Sequence, residues 1–195
     1  LNNELQKNFS NFDTLSYKDI IADTYFIETK EDFSKFKKKL FDFKKELFIE
    51  YQSNSLFLKY SIDEIMIIGS LIEKEGFDCE DKKIISSVIF NRLDKKKKLE
   101  IDATVIYAIT KGQYVFQREL RYNDLKIKDP FNTYVINGLP PDPISYVGRK
   151  TIELIMENYK TNYLFYFYDE FEKKHIFSQN YKDHSKKLDD YRQNK

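Results

Sequence analysis

Residues 61–76 read Ser-Ile-Asp-Glu-Ile-Met-Ile-Ile-Gly-Ser-Leu-Ile-Glu-Lys-Glu-Gly, and no other stretch restricts the fold as much. Ser61 is a suitable helix N-cap, and Glu64 three residues on completes a capping box. From Ile65 to Ile72 the helix is apolar on nearly every side, so it is expected at the centre of a core rather than on its surface. It then runs into Glu73-Lys74-Glu75, with Gly76 as the expected left-handed stop. Carboxylates are disfavoured both in a buried setting and at a helix C-terminus, where the macrodipole is negative. Both placements raise a carboxyl pKa, and a raised pKa suits a general acid near neutral pH. Ile65, Ile68 and Ile72 form one stripe that Glu75 continues. Glu73 continues Met66, Gly69 and Ser70, a stripe of smaller residues with room beside it. At this level two readings stand side by side: a functional acid, or two solvated end-of-helix acids, one of them paired with a lysine.

A buried helix needs a core around it, and 195 residues suffice for one domain with a lead-in segment. The boundary is expected at residue 58, with a helical lead-in over 1–58 and the main folded unit over 59–195. In the lead-in, Asp23-Thr24-Tyr25-Phe26 has extended character. Residues 31–51 place Phe33, Phe36, Leu40, Phe43, Leu47 and Tyr51 at helical spacing. Further helices are expected over 81–93, from an N-cap at Asp102 to Gly112, over 148–159 and over 185–195. Residues 163–168 and 175–178 read as a β-hairpin around Glu170-Phe171-Glu172-Lys173. Two turn-rich runs, 129–134 and 137–143, cannot be regular structure; the second holds three of the four prolines. Rigid loops of this kind are expected to wall a binding site. The fold class is therefore α+β, mainly helical with a small antiparallel sheet.

Composition removes several kinds of function. Lys+Arg of 33 against Asp+Glu of 32 is balanced, which argues against nucleic acid as a partner; the lysine runs at 37–39 and 95–98 read as solvated faces. Cys79 is the single cysteine and lies among Asp78, Glu80 and Asp81, which disfavour a thiolate. Two histidines, His175 and His184, with no nucleophile-elbow or His-Glu-x-x-His pattern, support neither a serine triad nor a zinc site, so no metal and no cofactor are expected. Carboxylate chemistry remains, with Glu75 and either Glu73 or Asp102 as candidates. Glu73 and Glu75 point to nearly opposite sides of a helix and are poor partners across one bond, which favours a single acid acting first as acid and then as base. Fifteen tyrosines suit a sugar-binding groove, since a ring stacks on a pyranose while its hydroxyl hydrogen-bonds. No membrane-spanning run is present, and a chain beginning at Leu1 rather than Met is expected to be a processed product or a fragment.

Six segments then carry a family resemblance in one register, from about Asp23 to about Tyr191. They are Asp23-Thr24-Tyr25; Gly69 to Glu75; Val88-Ile89-Phe90-Asn91-Arg92-Leu93; Leu99 with Asp102 to Tyr107; Asn132-Thr133-Tyr134 with Gly138-Leu139-Pro140-Pro141; and His175-Ile176-Phe177-Ser178 with His184. Together they resemble the endolytic murein transglycosylases, the MltG or YceG-like family. Ala22, Ala103 and Phe131 depart from the family's usual proline, proline and tyrosine. The resemblance implies a lytic transglycosylase that cleaves peptidoglycan glycan strands between N-acetylmuramic acid and N-acetylglucosamine, leaving 1,6-anhydro ends. It implies that Glu75 is the acid, with Glu73, Asn91, Arg92, Asp102, Asn132, Tyr134 and His184 as binding or bracing residues. It further implies a protein anchored by an N-terminal segment on the extracytoplasmic face of the cytoplasmic (inner) membrane, facing the periplasm, with cell-wall synthases as candidate partners. The rival expectations are a muramidase-type hydrolase using Glu75 with Asp102, and a non-catalytic peptidoglycan-binding module.

Overall fold

The computed structural model describes residues 15–26 and 33–194. Six α-helices and two small sheets lie among them: β1 (Ile21–Ala22), α1 (Phe33–Ile49), α2 (Ile62–Glu75), α3 (Cys79–Asp94), α4 (Asp102–Thr110), β2 (Val147–Gly148), α5 (Arg149–Met156), β3 (Phe165–Asp169), β4 (Lys174–Ser178) and α6 (Tyr181–Gln193). The expected α+β class, mainly helical with an antiparallel hairpin, is what forms.

Helix α2 is the axis. Ser61 and Glu64 make the capping box: the Glu64 N–H donates to the Ser61 hydroxyl (3.2 Å), and the Ser61 N–H donates to the Glu64 carboxylate (2.8 Å). Every residue from Ile65 to Ile72 is buried, because α3, α4, α5 and β2 surround the helix. Burying one isoleucine side chain contributes roughly 1.5–3 kcal/mol, so this run is a large share of the driving force. The core that encloses it also takes in Ile21, Leu47, Phe48, Leu56, Ile85, Ile89, Ile144, Ile152 and Ile155. None of the described helices is long and apolar enough to cross a membrane.

The room foreseen beside Gly69 and Ser70 is filled by protein. A Cβ on Gly69 would stand 2.6 Å from a Val147 methyl, so the glycine is what lets β2 lie against α2. The Ser70 hydroxyl accepts from the Ile144 N–H at 3.0 Å and pins the segment entering β2. β2 pairs in parallel with β1, Ile21 opposite Val147 and Ala22 opposite Gly148. That pairing moves the expected extended segment: the paired residues precede Asp23, and 23–26 are irregular. There the Asp23 carboxylate accepts from the Thr24 N–H, and the Tyr25 hydroxyl donates back to the Ile21 carbonyl.

Three caps differ from expectation. Gly76 has φ −88°, so it is not left-handed; it is close approach that demands glycine, since a Cβ would collide with Lys82 Cγ. Ile101, not Asp102, is the cap residue of α4, and it supplies no side-chain bond. α6 starts earlier than residue 185, because Asn180 accepts from the Asp183 N–H at 2.9 Å and nucleates the helix there. The hairpin pairs antiparallel, with Tyr166 opposite Phe177 and Tyr168 opposite His175, and α6 packs on both strands.

Candidate active site

Glu73 and Glu75 leave the last turn of α2 in different directions. Glu73 turns to β2 and α3. Its carboxylate accepts from the Gly148 N–H at 2.9 Å and from the Lys82 ammonium, which also reaches the Thr151 hydroxyl. Burial pushes its pKa up, but Lys82, Thr151 and Gly148 together hold it below the usual carboxylate value. Lys74, between the two acids, pairs with neither; its ammonium sits 3.7 Å from the centre of the Tyr114 ring.

Glu75 turns instead to a cavity of about 290 Å³, bordered also by Arg92, Glu100, Asp102, Tyr134, Tyr166 and His175. It is half-buried, and its carboxylate accepts from the Tyr166 hydroxyl at 2.9 Å. Among the described residues no lysine or arginine pairs with it. Burial raises its pKa to about 7; the Tyr166 hydroxyl, His175 and the Ala103 N–H pull it down, and Asp102 pushes it further up. A carboxyl poised there is protonated often enough at neutral pH to donate, and its conjugate base is strong enough to take a proton back.

The cavity is assembled from six separate stretches, α2, α3, 99–102, Tyr134, β3 and β4. Asp102 comes from the first residue of α4 and accepts from the Tyr134 hydroxyl at 2.6 Å. Burial first, then Asp102, raises the Tyr134 pKa, so its hydroxyl stays a donor. Tyr166 and Tyr168 are two apart on β3 and share a face, while His175 comes from β4. His175 Nδ1 lies 3.0 and 2.9 Å from the two Asp81 oxygens, on the first turn of α3. Asp81 thus fixes the ring by its Nδ1 edge.

Arg92, 7% exposed, ties three pieces of wall together. It donates to the carbonyls of Leu164, Lys98 and Leu99 and to the Glu100 carboxylate, the last at 2.7 Å. Asn91 donates to the Thr161 and Tyr163 carbonyls and anchors the approach to β3. Asn132, fully buried, donates to the Leu125 and Ile127 carbonyls and accepts from the Tyr134 N–H, which sets the position of that tyrosine. Both amides therefore brace the cleft. His184 does not reach the Glu75 cavity; it lies on α6 beside Phe165 and borders the neighbouring cavity. Of the turn-rich runs, Tyr134 reaches the Glu75 cavity. Asp142 and Pro143 do not: they border a separate cavity of about 480 Å³ with Tyr17, Tyr107 and Phe131, because Ser70 and Ser145 hold the segment that follows them on α2. Glu100, Tyr166, Tyr168 and His175 were not foreseen as site residues. The i, i+2 spacing of the tyrosines is the one signal the sequence offered for them.

Three comparisons bear on this site. The YceG-like family model matches residues 5–190. The endolytic murein transglycosylase of Bacillus subtilis (strain 168) is 36% identical over 141 residues, which is 72% of this chain and 38% of that protein. The Streptococcus pneumoniae (D39) protein of the same name is 33% identical over 129 residues, 66% of this chain and 23% of that one. The chain thus spans under two fifths of the length of either curated relative. The crystal structure of a putative YceG-like protein from Listeria monocytogenes superposes with a TM-score of 0.70 at 31% identity, covering 84% of this chain and 52% of that one.

Proposed function

The chain belongs to the YceG-like family, and from that premise we propose that it is the catalytic part of a peptidoglycan lytic transglycosylase with Glu75 as its single acid and base. The observation that carries the reading is Glu75 itself: a carboxyl without a cationic partner among the described residues, held near pKa 7 at the edge of a cavity lined with tyrosines.

The protonated Glu75 donates its proton to the oxygen linking C1 of N-acetylmuramic acid to the next sugar, and the C1–O bond breaks. The Tyr166 hydroxyl, already donating to Glu75 Oε2, keeps the carboxyl in place and steadies the carboxylate that forms. That carboxylate takes the proton of the muramoyl C6 hydroxyl as its oxygen closes on C1. The products are a 1,6-anhydromuramoyl end and a free hydroxyl on the leaving sugar; no water is consumed. General acid–base catalysis of this kind contributes about 10²–10⁴-fold. Such an enzyme works where glycan strands are laid down, so we place it on the extracytoplasmic face of the cytoplasmic membrane, as part of a longer anchored protein.

Asp102 also borders the cavity, which keeps a hydrolytic route open in which it activates water. Mass spectrometry of the ends released from purified sacculi separates the two. Anhydro ends support the transglycosylase; reducing ends from the wild-type chain would replace it with a muramidase. Glycan binding without any cleavage would leave a binding module.

A further inference from the structure

Beside the Glu75 cavity lies another of about 500 Å³. Arg92, Glu100, Tyr134 and Tyr166 border both, so the two are compartments of one cleft. Their charge differs in kind. The Glu75 compartment holds three carboxylates, Glu75, Asp102 and Glu100. The annex is bordered by Lys97, Lys98 and Arg92, and its one carboxylate, Glu100, is already taken by Arg92 at 2.7 Å. The Lys98 ammonium donates to the Tyr134 carbonyl at 2.9 Å, a neutral acceptor that leaves its charge unmatched. The Lys97 N–H donates to the Arg92 carbonyl at 2.8 Å, but its ammonium has no carboxylate or hydrogen-bond partner among the described residues. On the opposite wall His184 stacks on Phe165, centroids 5.3 Å apart, and its Nδ1 is shut off from solvent with no partner. Burial first, then Arg92, lowers its pKa and keeps it neutral.

We propose that the annex binds the carboxylate-bearing peptide arm of the same muramoyl residue whose glycosidic bond lies over Glu75, so that this enzyme favours peptide-bearing strands over bare glycan. The proposal rests on the glycosidase reading above. Its grounds are charge and distance. The arm leaves the sugar through the lactyl group on O3, so it occupies a compartment sharing a wall with the one that holds C1. Its free carboxylates match the two unmatched ammonium groups of Lys97 and Lys98. A further sugar ring, being neutral apart from any lactyl acid, gives no use for two lysines. The Tyr181 and Phe165 rings supply an apolar flank suited to the small side chains of such a peptide.

The test uses uncrosslinked glycan strands carrying non-amidated stem peptides, and the same strands stripped of peptide by an amidase. The wild-type chain is expected to cleave the peptide-bearing strands with a kcat/KM at least about tenfold higher, the equivalent of one well-placed ionic contact. Lys97→Glu should abolish most of that preference, chiefly through KM. Lys95→Glu, a charge reversal in the same lysine run but outside the annex, should leave the ratio as it is. Equal cleavage of both strands by the wild-type chain, or an unchanged ratio in Lys97→Glu, would overturn the annex assignment alone. Cleavage of neither strand by the wild-type chain would overturn the glycosidase reading and the annex with it.

Discussion

The two sides of the last turn of α2 carry the same side chain and treat it oppositely. On one side Glu73 is tied to Lys82, Thr151 and the Gly148 N–H, and its pKa is held down. On the other Glu75 has a tyrosine hydroxyl, no lysine, and a cavity in front of it, and its pKa is pushed up to about 7. Burial acts on both in the same direction. What separates them is the presence of a cation and of a strand edge that donates. Glu73 is a fastener joining α2, α3 and β2; Glu75, the proposed acid, is held by a hydroxyl and by no cation.

The strongest way to break this contrast is to remove one acid at a time. Glu75→Gln keeps the shape and still accepts from Tyr166, but it has no proton to give. It should lower cleavage of sacculi at least about 10²-fold while the thermal melt is unmoved or rises slightly. The rise follows from linkage: a carboxyl whose folded pKa is raised destabilises the fold progressively as pH climbs from its unfolded value towards 7. Glu73→Gln should do the reverse. It leaves the Lys82 ammonium half-buried without a counter-charge and should cost about 1–3 kcal/mol in a denaturant titration. Activity should persist in the fraction that remains folded. The stabilisation from Glu73 is present above its unfolded pKa and is lost as pH falls through its depressed folded value.

How far the sequence announced this contrast depends on the range of each interaction. The capping box, the apolar body of α2 and the opposed directions of Glu73 and Glu75 are matters of helical spacing within a few residues, and all were legible. The hairpin was legible from its short aromatic runs. What pairs with Glu73 was not: Gly148 lies 75 residues away, on a two-residue parallel pairing that no local pattern announces. Nor was the Tyr166 bond to Glu75, across 91 residues, or the Asp81–His175 contact, across 94. Gly76 was identified as a stop for the wrong reason, because the close approach of Lys82 cannot be read from spacing. Asp102 looked like a cap because caps are local, whereas its partner Tyr134 is 32 residues on. The Glu75 assignment came from family motifs, and the geometry adds a physical reason for that residue to be the acid.

A smaller effect sharpens the comparison. Tyr166→Phe removes the one side-chain hydrogen-bond donor to the Glu75 carboxylate among the described residues. The wild-type rate should fall as pH rises above about 7, since the donating form is lost there. In Tyr166→Phe that limb should move to higher pH, with a lower plateau because the carboxyl is less well held. A limb that stays where it was would show that Tyr166 does not govern the protonation of Glu75.

The most direct measurement is a carboxyl-carbon NMR titration of the folded chain, with Glu73→Gln and Glu75→Gln used to assign the two resonances. The account predicts that Glu75 titrates near 7 and Glu73 below the ordinary glutamate value. If the two acids titrate together in the ordinary carboxylate range, the division of α2 into a fastened side and a reactive side is contradicted.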